Sequence, residues 1–163
     1  MKVEYINPFI ETVEELFEKM LTCAVKRGEV TFSKEVPPNR DIVALIGLSG
    51  PARGIVALSF PVSTALAIVG RMLGGEIRVV DDSVKDGVAE LVNIVAGGAK
   101  ARLNADHGTP IDLSLPTVVR GNSYTVDYPS QSVWLEIPFT SDLGPFSLRV
   151  TFGRDDARKG GAQ

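Results

Sequence analysis

The sequence predicts an α+β fold: a single domain with a largely antiparallel sheet packed by amphipathic helices. Apolar residues recur at helical spacing in three segments, and the β-rich segments follow one another across short turns instead of alternating with helices. A chain of 163 residues with 44% hydrophobic content suits one compact core. The order helix, strands, helix, helix, strands suggests a loose internal twofold repeat. We expect the domain to span residues 1–153, and the charged, glycine-rich residues 154–163 to form a flexible tail.

The first predicted element is a long helix. Asn7 is a residue type that caps free helix amides, and Pro8 suits the first helical turn. Apolar residues then recur at helical spacing, and the helix is expected to continue to about Gly28. Three β-prone segments follow, and the second and third form a hairpin across Ser49-Gly50-Pro51. The segments are 30–36, 42–48 and 54–60.

Two further helices are predicted in the middle of the chain. One begins at a cap, Ser63 or Thr64, and stops before Gly74. The other begins at a cap, Ser83, and runs to about Asn104. The remaining strands are predicted at 111–120, 124–126, 132–139 and 146–152, with a turn at 142–145 joining the last two.

The third helix carries an unusual polar face. Because helical neighbours recur at spacings of three and four, its polar residues align in one stripe and its apolar residues in another, which packs. An ordinary solvated helix face is the alternative, but a mid-helix asparagine and adjacent glycines are poor helix formers, which argues for a use beyond the fold. The outward stripe comprises Asp86, Glu90, Asn93, Gly97 and Lys100, and the apolar stripe Val84, Val88, Leu91, Val92, Val95, Ala99 and Leu103.

Composition disfavours several functions. A net charge of −3 argues against nucleic acid as a partner, since backbone binding needs clustered Lys and Arg. Cys23 and His107 are the only residues of their types, so we expect neither a disulfide nor a metal site of the protein's own. The sequence has no phosphate-binding Gly-rich loop and no nucleophile elbow. The residues after Lys2 lack the apolar region of a signal peptide, and no apolar run has membrane length, so we expect a cytoplasmic protein without a membrane partner.

Glu90 and Asn93 suit one kind of chemistry. An amide side chain can accept a hydrogen bond from water while it donates to another group, so it can orient a water molecule. Hydrolysis of a phosphoryl group depends largely on placing an attacking water in line. A carboxylate one turn away could bind a cation on the phosphorylated partner. Gly97, on the same stripe, would let a partner's backbone approach closely.

Asp86, Glu90 and Asn93 resemble the Asp-x-x-x-Glu-x-x-Asn helix of the CheC, CheX and FliY phosphatases of bacterial chemotaxis. Within that group the chain is most similar to CheX. The resemblance covers nearly the whole chain apart from the tail, and it depends on the order and spacing of several segments. The others are Asn7-Pro8-Phe9-Ile10, Ile46-Gly47-Leu48-Ser49-Gly50, Arg53-Gly54, Thr64-Ala65-Leu66, Met72-Leu73-Gly74-Gly75 and Pro116-Thr117-Val118-Val119-Arg120-Gly121.

The resemblance implies a phosphatase that removes the aspartyl phosphate of a CheY-like response regulator, with the third helix docked in the regulator's active site. Glu90 would pair with the regulator's lysine and Asn93 would orient the attacking water, while Asp86 and Gly97 would contact the partner. The Mg²⁺ of such a reaction belongs to the regulator, so no cofactor of the chain's own is implied. CheX proteins are dimers joined through the sheet, so a homodimer is expected.

The first helix is not expected to supply a second site. CheC-like members carry a second Glu-x-x-Asn there, whereas this chain has Glu15-Leu16-Phe17-Glu18 in the corresponding place. One active site per chain is therefore implied. Two alternatives stay open: a non-catalytic adaptor that binds a response regulator through the same helix face, and a ligand-binding or structural domain with a solvated helix.

Overall fold

The computed structural model describes residues 3–33, 41–51, 53–121 and 133–153. Within these ranges, three α-helices pack on an eight-stranded sheet whose pairings are all antiparallel, so the predicted α+β class is confirmed. The helices are α1 (Asn7–Lys19), α2 (Val62–Leu73) and α3 (Asp82–His107). The strands are β1 (Val25–Arg27), β2 (Thr31–Ser33), β3 (Ile42–Ser49), β4 (Gly54–Phe60), β5 (Asp112–Leu113), β6 (Thr117–Arg120), β7 (Val133–Ser141) and β8 (Phe146–Phe152).

The sheet joins the two halves of the chain through its central strands. The strand order is β1-β7-β8-β4-β3-β5, with β2 also paired to β7 and β6 also paired to β3. The predicted hairpins β3–β4 and β7–β8 are both confirmed, and β8 pairs with β4 to connect them. The strand that comes last in the described sequence therefore lies in the middle of the sheet.

The core lies between the helices and one face of the sheet. Alternate residues of β3, β4, β7 and β8 point into it, as the period of two in a strand requires. An aromatic cluster forms one end of this core. The ring of Phe146 stacks on Phe17 and Phe139, with centroids 4.8 Å and 5.1 Å away, and lies 5.7 Å from Phe60. This cluster connects α1 to three adjacent strands.

The helix starts differ from the predicted caps, although Pro8 does lie in the first turn of α1 as expected. At α3, the Asp81 side chain accepts a hydrogen bond from the Val84 amide (3.1 Å). At α2, the cap comes from a distant residue, because the Asp41 carboxylate accepts from the Val62 amide (3.2 Å). The observed N-caps are Ile6 for α1, Pro61 for α2 and Asp81 for α3, instead of Asn7, Ser63 or Thr64, and Ser83.

The predicted end of α1 at Gly28 is wrong, since the helix ends at Lys19. Thr22 takes a left-handed backbone conformation, with φ of 49°, and directs the chain into β1. Leu21 and Cys23 remain buried after the helix has ended, at 0% and 7% exposure. Their burial explains why the apolar spacing looked helical to this point.

The ends of α2 and α3 follow glycine chemistry. The stop of α2 is confirmed, because Gly74 has a left-handed conformation with φ of 75°. Helix α3 ends at His107, three residues past the expected Asn104, and Gly108 follows as its left-handed C-cap with φ of 59°. The predicted end is therefore about one turn too early.

The strand predicted at 111–120 is divided into β5 and β6 by a bulge. Between its pairings with β5 and β6, strand β3 has two residues and the edge strand has three, 114–116. The Gly47 amide donates to Ser114 Oγ (2.8 Å), and the Ser114 amide donates to the Gly47 carbonyl (3.0 Å), which fixes the bulge. Pro116 at its end cannot donate to another strand.

Some predictions fall outside the described residues: the strand at 124–126, the end of the β-prone segment 30–36, and the tail at 154–163. The domain boundary therefore stays a prediction. The loose twofold repeat is not confirmed, and the helices it would equate differ in length, with 13 residues in α1 and 26 in α3. Across the described ranges, no helix is both long enough and apolar enough to span a membrane.

Candidate active site on helix α3

Helix α3 has the two faces that its sequence predicts. All seven residues of the apolar stripe are buried, with exposures of 0% or 1%, and they pack in the core. On the opposite stripe, Asp86, Glu90 and Asn93 are exposed, while Gly97 and Lys100 are half-buried. The carboxylate and the amide are therefore available on the surface, one helical turn apart and about 5–6 Å from Cβ to Cβ.

The two functional groups at the centre of this stripe have no polar partner in the part of the chain that the structure describes. Among those residues, neither the Glu90 carboxylate nor the Asn93 amide makes a hydrogen bond or ion pair. Both side chains can therefore engage an incoming molecule without first breaking a contact. Their positions depend on where the backbone of α3 lies.

Three glycines in and beside the stripe have different surroundings. A Cβ at Gly97 would meet nothing within 4 Å, so this position is open toward solvent. A Cβ at Gly98 would lie 2.5 Å from Thr12 Cγ2 on α1, and one at Gly87 would lie 2.7 Å from Val69 Cγ2 on α2. Gly87 and Gly98 therefore allow α3 to pack closely on the other helices. Gly97 instead leaves open space on the outward stripe of α3.

An ionic contact reinforces the packing of α3 on α1. Arg102, one turn after Gly98, donates hydrogen bonds to Thr12 Oγ1 and to Glu15, and its Nε lies 3.6 Å from Glu11 Oε2. A hydrogen bond from Lys19, together with that from Arg102, holds the pKa of the Glu15 carboxyl below its usual range. Glu15, which aligns with Glu90 in the sequence, is thus engaged in structural contacts.

The described residues contain no group of three or more His, Cys, Asp or Glu side chains placed to hold a metal ion. Cys23 is buried, and its Sγ lies 3.5 Å from the Ala24 carbonyl oxygen, to which the thiol donates. Cys23 belongs to the hydrophobic core, as a small apolar side chain would.

Comparison with known proteins identifies the family. The family model described as chemotaxis phosphatase CheX matches residues 42–140, which include β3 to β6, the whole of α3 and most of β7. The chain belongs to the CheX family of chemotaxis phosphatases. A relative from Thermotoga maritima, the CheY-P phosphatase CheX, is 30% identical over 142 residues, covering 86% of this chain and 89% of the relative.

Solved structures of CheX-like proteins share the fold. A CheC-like superfamily protein from Shewanella sp. PV-4 has a TM-score of 0.84 at 32% identity, covering 94% of this chain and 99% of its own. CheX of Borrelia burgdorferi, solved in a complex with CheY, BeF3 and Mg²⁺, has a TM-score of 0.75 at 22% identity, covering 93% of this chain and 99% of its own. The Borrelia protein shows a shared fold.

Within this CheX-family chain, sequence reasoning identified the outward stripe but missed the contacts that hold it. Gly98 and Arg102 lie at i and i+4 on the flank of α3, a spacing that indicates one shared face. Their partner Thr12 is 90 residues from Arg102 in sequence. The spacing could have indicated a packed flank, but not the helix that packs on it.

Proposed function

We propose that this protein hydrolyses the aspartyl phosphate of a CheY-like response regulator, with α3 docked over the regulator's phosphorylated site. The observation that carries the proposal is the pair of exposed side chains, Glu90 and Asn93, one turn apart and without partners among the described residues. Family membership and the name of the Thermotoga relative, a CheY-P phosphatase, support the same activity.

In the proposed mechanism, the Asn93 side-chain oxygen accepts a hydrogen bond from a water molecule and aims the water's lone pair at phosphorus. A bond forms between the water oxygen and phosphorus as the bond from phosphorus to the aspartyl oxygen breaks, which yields a free aspartate and inorganic phosphate. The Glu90 carboxylate pairs with the regulator's lysine and thereby fixes the docked pose. The proposal assigns the Mg²⁺ to the regulator and places Asp86 and Gly97 at the interface.

The decisive experiment uses CheY-type receiver domains of the host, phosphorylated with acetyl phosphate in the presence of Mg²⁺. Addition of the purified wild-type protein is expected to accelerate phosphate release over the receiver's own rate. If the protein binds the phosphorylated receiver and leaves its phosphate lifetime unchanged, the adaptor alternative is correct. Absence of both binding and hydrolysis with every receiver would favour a structural domain. Sedimentation of the same sample tests the proposed homodimer.

A Glu90→Gln substitution is expected to raise the KM for the phosphorylated regulator about tenfold, since it removes the charge from one hydrogen-bonded ion pair while keeping the shape of the side chain. Steady-state kinetics at fixed ionic strength would measure the effect. Glu14→Gln, an identical charge change on the exposed face of α1, is the matched control. Equal KM values for the Glu90→Gln variant and the wild type would contradict the assigned role.

A Gly97→Ala substitution is expected to have opposite effects on stability and docking. Because its Cβ would meet nothing within 4 Å, the change raises the free energy of unfolding by about 0.5–1 kcal/mol through helix propensity. The same methyl would obstruct a backbone that approaches the stripe, and so it raises the KM for the regulator. Urea unfolding and steady-state kinetics measure the two effects, and a stabilised protein with unaltered KM would place Gly97 outside the interface.

A further inference from the structure

The site segment of α3 lies between two close helix contacts. Gly87 packs on Val69 of α2, three residues before Glu90, and Gly98 packs on Thr12 of α1, five residues after Asn93. Within the described ranges, the two site side chains make no polar contacts of their own, so their placement follows the helix backbone, which these two anchors and the buried residues between them hold. Contacts at two points fix the axis of the helix, and they therefore also fix where the outward side chains leave the backbone.

The anchor at Gly98 is the more elaborate of the two. Thr12 is buried at 5% exposure, and its hydroxyl donates to the Pro8 carbonyl (2.7 Å) while it accepts from Arg102. Arg102 also binds Glu15, and its side chain is 28% exposed, so solvent is partly excluded from these bonds. Thr12 thus receives both the close approach of Gly98 and a hydrogen bond from Arg102, and the ion pair of Arg102 with Glu15 lies beside it on α1.

We infer that Gly98 and Arg102, through their contacts with Thr12, are positioning residues that set the place of Asn93 for catalysis. This inference depends on the proposed phosphatase function. Asn93 lies five residues from Gly98 and six from Gly87, so if Gly87 stays in place, a displacement at Gly98 moves Asn93 by roughly half as much. In-line attack tolerates little displacement, since an error of about 1 Å can cost up to about 100-fold in rate.

Gly98→Ala is the direct test. Its Cβ would come within 2.5 Å of Thr12 Cγ2, so either Thr12 or α3 must shift. Because hydrogen bonds to Pro8 and from Arg102 hold the Thr12 side chain, we expect α3 to move away from α1 by roughly 1 Å. The expected result is a fall in kcat of about tenfold with little change in KM, because the docking side chains remain intact. Gly75→Ala, where a Cβ would meet nothing within 4 Å, controls for the glycine-to-alanine change itself.

A second substitution separates the contact from general damage. Thr12→Ser removes Cγ2 and keeps the Oγ1 that bonds Arg102 and Pro8, so the Thr12→Ser/Gly98→Ala protein is expected to regain most of the lost kcat. Arg102→Met provides an independent variant if Gly98→Ala does not fold, since it keeps the packing of the stem and removes the polar contacts. Its kcat is expected to fall about threefold at unaltered KM.

Hydrogen exchange of amides 90–97, measured on the protein alone, reports the same anchor without any phosphatase assay. Faster exchange is expected in Gly98→Ala and Arg102→Met, with recovery in the Thr12→Ser double variant. The inference is overturned if Gly98→Ala and Arg102→Met both keep the wild-type kcat or the wild-type exchange rates. It is also overturned if the double variant shows no recovery. If the wild type does not hydrolyse any phosphorylated receiver, the proposed function fails instead, and the exchange rates still decide whether the anchor holds this segment.

Discussion

An Asn93→Ala protein is expected to bind the phosphorylated regulator and to hydrolyse it about 100-fold more slowly than the wild type, or slower still. The remaining Glu90 would still pair with the regulator's lysine, so docking survives. What is lost is the hydrogen bond that aims the attacking water, and a 100-fold effect corresponds to about 2.7 kcal/mol of transition-state stabilisation. We expect the fold to be unaffected, because Asn93 is exposed and its side chain makes no hydrogen bond among the described residues.

Single-turnover hydrolysis of the phosphorylated receiver measures the rate, and titration of the BeF3-activated receiver measures binding. Asn104→Ala is the matched control, since it makes the same change on another exposed residue of α3, eleven positions further along the helix. An Asn93→Ala protein that turns over at the wild-type rate would refute the mechanism. Weak binding with normal turnover of the bound complex would move Asn93 from catalysis to docking.

Phe146→Ala is expected to lower the free energy of unfolding by about 3–5 kcal/mol, a large part of the stability of a domain of this size. The Phe146 ring is buried at 4% exposure and stacks on Phe17 and Phe139, and the Phe60 ring also packs against it. Its removal leaves a cavity where α1 meets the sheet, and these neighbours are held by their own backbone and cannot all collapse into it.

Urea unfolding, monitored by far-ultraviolet circular dichroism, would measure this loss as a lower midpoint urea concentration at an unaltered m-value. Phe146→Leu restores part of the volume without the stacked ring, so it should fall between the alanine variant and the wild type. If Phe146→Ala costs less than about 1 kcal/mol, the stacked cluster is not a centre of stability.

The parts of the fold that sequence predicts best are those set by local periodicity. The faces of α3 follow from spacings of three and four, and both its buried and its exposed residues are where this rule puts them. Glycine stops are equally local, as Gly74 shows. The hairpin β3–β4 follows from two β-prone runs joined by a turn.

Predictions failed where a distant residue sets a local structure, or where the local sequence permits more than one structure. The α2 cap comes from Asp41, 21 residues away, and no capping rule based on neighbours could find it. At α3, Asp81 and Ser83 are both good caps two residues apart, and sequence does not choose between them. Thr22 has a left-handed conformation, which is unusual for a β-branched residue, so its residue type does not indicate a turn. The apolar spacing alone therefore predicted an α1 that is too long.

The candidate site could likewise be predicted only in part from the sequence. Sequence placed Glu90, Asn93 and Gly97 on one outward stripe, and the structure brings them together there. It could not tell which of two adjacent glycines faces a neighbouring helix, because that depends on Thr12 of α1. Pairings across 90 residues, such as Arg102 with Thr12, become visible only once the helices have packed.

The central place of β8 has a consequence for synthesis on the ribosome. Helices α1 to α3 and strands β3 and β4 are made first, yet β4 lacks its second partner until residues 146–152 emerge. Until then one edge of the β3–β4 hairpin is unpaired, and Val56 and Leu58, which end as core residues, lack the strand that will lie beside them. Unpaired apolar edges of this kind favour association between nascent chains, and long-range pairing of this kind is slow to form.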